Sequence, residues 1–227
     1  MKANPLRWLE KRLGVQLILV YEILVIIMVL AMAEPVPISL CLGATISAIG
    51  LGFRVWSRGY QLTPGERAVY GPYRFVRHPV HLGTFLILLG LCLAGRSFYS
   101  VAVMLLGSIF LFRQTFAEEE AISGGNKGVL YKDYRLRVPT FVPNIYPYSG
   151  ALCRNKDFSL SYSMLKGHRR ELDSLVALVF VYMLLFGVTL VPETDIAQLI
   201  LSGGIAVYCG IRIALQRRQS NLRKTGA

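Results

Sequence analysis

Residues 78–120 read HPVHLGTFLILLGLCLAGRSFYSVAVMLLGSIFLFRQTFAEEE, and this stretch decides the fold. Two apolar blocks, Val80–Ala94 and Phe98–Phe112, flank the break Gly95-Arg96-Ser97. Neither block shows the period-2 alternation of a half-buried strand or the polar stripe of a surface helix. Both read as membrane-crossing helices, short against the about 20 residues that a span requires. Together they form a hairpin whose two ends, His78-Pro79 and Glu118-Glu119-Glu120, come back to one side.

Working outward, four more apolar blocks occur: Val15–Ala33, Val36–Phe53, Leu175–Val191 and Ile196–Leu215. The chain of 227 residues is 54% hydrophobic and 17% charged, with a mean hydropathy of +0.48. Long apolar blocks in that composition exclude a disordered chain, a collagen-like chain and a soluble α/β enzyme. The expected fold is an all-α integral membrane protein of about six transmembrane helices. Residues 1–57 supply two N-terminal spans, 58–147 a core built on the hairpin, and 148–227 a connector and two C-terminal spans.

The loops set the orientation. Of 25 Lys and Arg residues, all but Arg96 and Arg212, the latter near the end of the last apolar block, lie in the N-terminal segment, the C-terminal segment or alternate connections. The positive-inside bias then predicts a multi-pass chain with both termini cytoplasmic. A basic face beside anionic lipid accounts for the net charge of +12 without nucleic acid. Ala31-Met32-Ala33 resembles a signal-peptidase site. The block before it is long for a signal peptide and contains Glu22, so the first helix is expected to be retained. Glu22 is an ionisable group at membrane depth, read as a carboxyl group bonded inside the bundle. Cys41, Cys92, Cys153 and Cys209 contain no C-x-x-C pair; they read as small buried hydrophobes, with no metal site or disulfide framework.

Two motifs carry chemistry. The first is Gly71-Pro72-Tyr73-Arg74-Phe75-Val76-Arg77-His78-Pro79-Val80-His81-Leu82-Gly83. Gly71-Pro72 reads as a tight turn and Pro79 as a first helical position, whose free backbone N–H groups suit an anion. Gly83 allows close approach by a ligand or another backbone. The second motif is Glu118-Glu119-Glu120, followed by Gly128-x-x-Tyr131-x-x-Tyr134 and Arg137-Val138-Pro139-Thr140-Phe141-Val142-Pro143. Three adjacent carboxylates need a cationic neighbour: Arg113, Lys132, Arg135, Arg137 or a positively charged ligand. An anion-binding helix start and a carboxylate cluster in one pocket suit a zwitterion such as S-adenosylmethionine.

The stretch from Leu62 to Pro143, a little over a third of the chain, resembles the isoprenylcysteine carboxyl methyltransferase family, relatives of the phospholipid methyltransferases. That family carries Gly-x-Tyr…Arg-His-Pro-x-Tyr-x-Gly, a transmembrane hairpin, and Glu-Glu…Phe-Gly-x-x-Tyr-x-x-Tyr…Val-Pro. The resemblance implies a cytoplasmic pocket for S-adenosylmethionine and a lipid-like substrate, most simply an isoprenylated cysteine or small isoprenoid, entering from the bilayer. By position, it implies cofactor contacts at Tyr73, His78, Pro79, His81, Gly83, Glu119 and Glu120, with Ala68 toward the adenosine end. Catalytic roles fall to Glu119 and Arg113, and the acceptor is held by Arg113, Arg135 or Arg137. No obligate protein partner is expected. His81 stands where the family has Tyr, Lys127 where it has Phe, and Arg113 lies two residues from the family's substrate arginine. A phospholipid amine methyltransferase and a membrane reductase using NADPH are the competing readings. Sterol reductases share the Arg-His-Pro element; a small transporter is a third reading.

Overall fold

The computed structural model describes residues 20–60, 69–122, 128–150, 153, 157–160, 162–166, 171–191, 203–204, 206–208 and 210, with side chains left out at 111–122, 128–131 and 165–166. All of its regular elements among these residues are helical: α1 (Val20–Ala31), α2 (Pro37–Arg58), a 3-10 turn (Gly71–Arg74), α3 (Pro79–Ala94), α4 (Phe98–Ile122), α5 (Gly128–Arg137), a π turn (Tyr162–Lys166) and α6 (Glu171–Leu190). Only an isolated antiparallel bridge, Tyr60 to Phe158, has strand pairing among them.

Two helices, α2 with 22 residues and α6 with 20, are long and apolar enough to cross a membrane. Of the other apolar helices, α1 and α3 are shorter, α3 having 16 residues, and α4 is counted apolar over Phe98–Phe110. Several expected boundaries move. The second span continues past Phe53 to Arg58, because Arg54 and Ser57 find partners inside the protein. The fourth continues past Phe112 to Ile122, so Arg113 and Glu118–Glu120 belong to a helix. The fifth begins at Glu171 rather than Leu175. The sixth expected span lies mostly outside the described residues, with helical positions at 203–204, 206–208 and 210.

Proline and serine set the helix starts. Pro37 opens α2, and Ser39 Oγ accepts from Val36 N (3.1 Å) while donating to Val36 O (2.9 Å). Pro79 opens α3, where its missing N–H costs no helical bond. Between α3 and α4 the chain reverses at Arg96, whose φ of 54° lies in the left-handed region. Gly95 is glycine for a different reason: a Cβ there would sit 2.9 Å from Val29 Cγ1.

The chain divides into two compact units. One comprises Met1–Gly43, Leu91–Val103 and Ala177–Ala227; the other comprises Ala44–Gly90 and Met104–Val176. The units do not follow the expected division at 57 and 147, because helix pairing brings together residues far apart in sequence. In the first unit Val25, Val29 and Leu30 are buried, as is Glu22 at 6% exposure. The cysteines are not uniformly buried as expected: Cys92 is buried, Cys153 intermediate and Cys41 exposed on an apolar helix, with Cys209 outside the described residues. All residues of the site below belong to the second unit.

Candidate functional site

The 3-10 turn forms because Pro72 O accepts from both Phe75 N (3.0 Å) and Val76 N (3.1 Å). Gly71 enters it at φ 46°, where an L side chain would be strained, and a Cβ would strike the Tyr60 ring at 2.5 Å. The turn points the chain into α3, so Tyr73, His78 and His81 follow one another around its start. His78 O accepts the first-turn bond from Leu82 N (3.1 Å). The rings of His78 and His81 are perpendicular, with centroids 5.7 Å apart. Among the described residues no group of three His, Cys, Asp or Glu could hold a metal ion.

The C-terminal part of the second motif is pinned directly to the first. Tyr134 OH donates to Tyr73 O (2.7 Å). Arg77 N donates to Pro139 O (2.9 Å), and its guanidinium bonds Thr140 Oγ1. Asn144 N donates to Phe75 O (2.8 Å) and Tyr148 N to Arg74 O (2.9 Å), while Arg74 Nε returns to Tyr148 O (2.7 Å). Underneath, Val69, Tyr134, Val138 and Tyr148 form a buried cluster. The stretch after Asn144, rich in Tyr, Ser and Pro, is thus in its first part the strap that holds the His-Pro turn.

Other expected site residues are placed less completely. Counted from the reversal at about 1.5 Å per residue, Arg113 on α4 stands as far from it as Pro79 on α3. Glu118–Glu120 stand five to seven residues beyond, about 8–10 Å farther along the axis. The side chains of Arg113, Glu119 and Glu120, and the whole of Ala68, lie outside the description. Arg137 pairs with Asp133 (2.8 Å) across one helical turn at 68% exposure, a contact worth less than about 0.5 kcal/mol. Gly83 is buried, and its missing side chain makes room for α2: a Cβ there would lie 2.6 Å from both Gly50 O and Arg54 Cγ. The close neighbour expected at Gly83 is thus another backbone and the stem of an arginine.

That arginine belongs to a cluster the sequence does not disclose. Arg54 Nε donates to Glu171 Oε2 (3.1 Å), Nη2 to Ser174 Oγ (3.1 Å) and Nη1 to Thr84 Oγ1 (3.2 Å). Arg58 pairs with the same carboxylate, whose side chain is 0% exposed. Arg54 thus ties α2 to α3 and α6 within one turn of His81. An Arg at the end of one apolar block and a Glu at the start of another are visible in sequence, but their pairing across 117 residues is not.

Two tyrosines of the strap and turn are shifted. Burial pushes Tyr73 up to about 12, with the Arg58 charge opposing it. Tyr148 is also pushed up to about 12, by burial first and then by the bond its hydroxyl donates to Asp133 (2.9 Å) and by that carboxylate's charge. A raised folded value means that the folded chain keeps protons which the unfolded chain releases. Their contribution to stability is therefore complete below pH 10 and lost as pH rises through 12. In an absorbance titration, two of the 12 tyrosines are expected to ionise late, and Tyr148→Phe to remove one. Early titration of all tyrosines in the folded protein would contradict the burial.

Comparison with family models, with curated proteins and with solved structures finds no match to this chain.

Proposed function

We propose that the chain is a membrane-embedded, S-adenosylmethionine-dependent methyltransferase with a lipid-like acceptor. The observation that carries this reading is the pinning of the Gly71–Gly83 motif to residues 134–140 by Tyr134→Tyr73 and Arg77→Pro139. Either motif alone is an ordinary membrane-edge sequence. Their joining sets residues 134–140 beside a helix start able to receive a carboxylate; the reading adds Glu118–Glu120 of α4 as the acidic groups that receive the sulfonium.

The topology proposed with it has six spans, with both termini and the active site on the cytoplasmic side. The lengths of α2 and α6 support it. Large apolar side chains standing exposed on α4 and α6, among them Leu106 (69%), Met183 (68%) and Phe186 (56%), suit a hydrocarbon surrounding better than water.

When bound, S-adenosylmethionine would supply an electrophilic methyl group to an oxygen, sulfur or nitrogen of the acceptor and would depart as S-adenosylhomocysteine. A carboxylate or thiolate acceptor needs no base, whereas an amine must lose a proton, which the Glu118–Glu120 group could take. Alignment supplies the main rate term, up to about 7–11 kcal/mol. Tyr73, His78, Pro79 and His81 would hold the cofactor, with Ala68 assigned to its adenosine end and Glu119 and Glu120 to its positive charge. Gly83 acts by letting α2 close on α3. Arg113, Arg135 or Arg137 would hold an acidic acceptor in a two-point grip.

S-adenosylhomocysteine is expected to raise the Tm of the purified protein and NADPH to leave it unchanged. His78→Ala and Glu119→Gln should each weaken binding at least tenfold while folding normally. Transfer of labelled methyl into extracted membrane lipids, with the product weighed by mass spectrometry, identifies the acceptor. Stabilisation by NADPH instead, or by neither ligand, would remove the assignment.

A further inference from the structure

We infer that residues 136–147, the end of α5 and the strap that follows it, form an anchor that lies in the surface of an acidic phospholipid bilayer. The anchor rests on the membrane-embedded reading of the chain and is indifferent to what the chain catalyses.

Four large apolar side chains stand out from this segment: Leu136, Val142, Ile145 and Tyr146 are 87%, 73%, 85% and 79% exposed. Every residue from Val142 to Pro147 is exposed. The segment is nevertheless held from behind. Asn144 N donates to Phe75 O, Tyr148 N to Arg74 O and Arg74 Nε to Tyr148 O, while Val138 and Tyr148 are buried on either side of the exposed run. A fixed backbone thus turns apolar groups outward, and a patch of such groups marks a contact surface.

Two ring contacts set the level of the segment. Phe141 packs edge to face on Phe85 (5.2 Å), the seventh residue of α3 and about 9 Å along it from Pro79. Trp56, in the last turn of α2, lies 6.1 Å from Phe75 at the end of the 3-10 turn. Phe85 belongs to an apolar helix, so the chain leaves Phe141 beside hydrocarbon rather than above it. Trp and Tyr concentrate where acyl chains meet headgroups, and Tyr146 gives the strap its own ring of this kind.

Charge selects the lipid. Residues 138–150 carry no charged side chain, whereas residues 132–137 carry Lys132, Arg135 and Arg137 against Asp133 alone. Lys132 is exposed and stands one turn from Leu136 on the same side of α5. An apolar patch with a basic margin suits an anionic headgroup layer: the apolar groups enter the acyl boundary and the cations stay among the phosphates.

The full chain is reconstituted in vesicles of phosphatidylglycerol or of phosphatidylcholine, with or without bromine on the acyl chains. The emission of a tryptophan added by substitution is read above the baseline of Trp8 and Trp56. Emission from Ile145→Trp is expected to fall about twofold or more in brominated phosphatidylglycerol and by less in brominated phosphatidylcholine. Lys132→Glu should reduce that excess. Val142→Trp should respond like Ile145→Trp, and it decides if Ile145→Trp does not fold. Leu106→Trp, at an exposed position of α4, reports embedding itself and should be quenched in both lipids. Quenching of Leu106→Trp without quenching of Ile145→Trp means that the strap faces water or a protein partner, which overturns the anchor and leaves the embedded reading standing. Quenching of neither removes both. Equal quenching of Ile145→Trp in the two lipids, or an excess that Lys132→Glu leaves unchanged, also overturns the anchor.

Discussion

Glu171→Leu is expected to destabilise the protein by about 3–5 kcal/mol, the cost of leaving buried charge without its partner. The carboxylate is the meeting point of α2 and α6, accepting from Arg54 and pairing with Arg58, and its removal takes this counter-charge from two guanidiniums with little access to water. The effect belongs to charge burial rather than lost volume, since leucine fills similar space. The triple replacement Arg54→Met, Arg58→Met and Glu171→Leu should therefore recover most of the loss. Equilibrium unfolding in mild detergent measures both. A single Glu171→Leu variant within about 1 kcal/mol of the unsubstituted chain would show that the carboxylate is not the compensating group.

Gly50→Ala should cost about 1–3 kcal/mol, although alanine is the better helix former. A Cβ at position 50 would lie 2.6 Å from Gly83 O, 2.8 Å from Ile87 N and 2.9 Å from Leu86 Cβ. Two of these are backbone atoms that no rotamer change can move, so α2 and α3 must separate. Gly83→Ala presses on the same contact from the other side, where Gly50 O is 2.6 Å away. The two effects are then coupled, and the double variant should lose less than the sum of the singles. Gly52→Ala, with nothing within 4 Å, is the control and should be neutral or stabilising. Because His81 lies in the first turn of α3 and His78 immediately before it, Gly50→Ala should, on the proposed function, also weaken S-adenosylhomocysteine binding without touching the ligand. Additive losses, or a neutral Gly50→Ala, would mean that the helices do not depend on this close crossing.

Much of the helical layout was legible because hydrophobic run length is a one-dimensional signal. Pro37 and Pro79 announce helix starts, and the apolar blocks coincide with α2, α3 and α6 to within a few residues. The ends were less legible, because a charged residue stops an apolar run in sequence but not a helix whose interior offers that charge a partner. Arg54 continues α2 for this reason. In the site, the His-Pro turn was visible as a motif and its attachment to the later Tyr and Val-Pro segment was not. Tyr134 to Tyr73 and Arg77 to Pro139 span more than 60 residues and are made largely through backbone atoms, which leave no trace in residue type.

The sequence by itself determined that this is an apolar, helical chain with basic connections and a proline-started helix behind a glycine-entered turn. Those properties follow from side-chain hydrophobicity and local dihedral preference. Only the tertiary structure decided what Gly83 makes room for, which acid holds Arg54 and Arg58, and what braces the His78-Pro79 turn. Each of these is a contact between distant segments, chosen by packing and charge neutralisation in the folded chain.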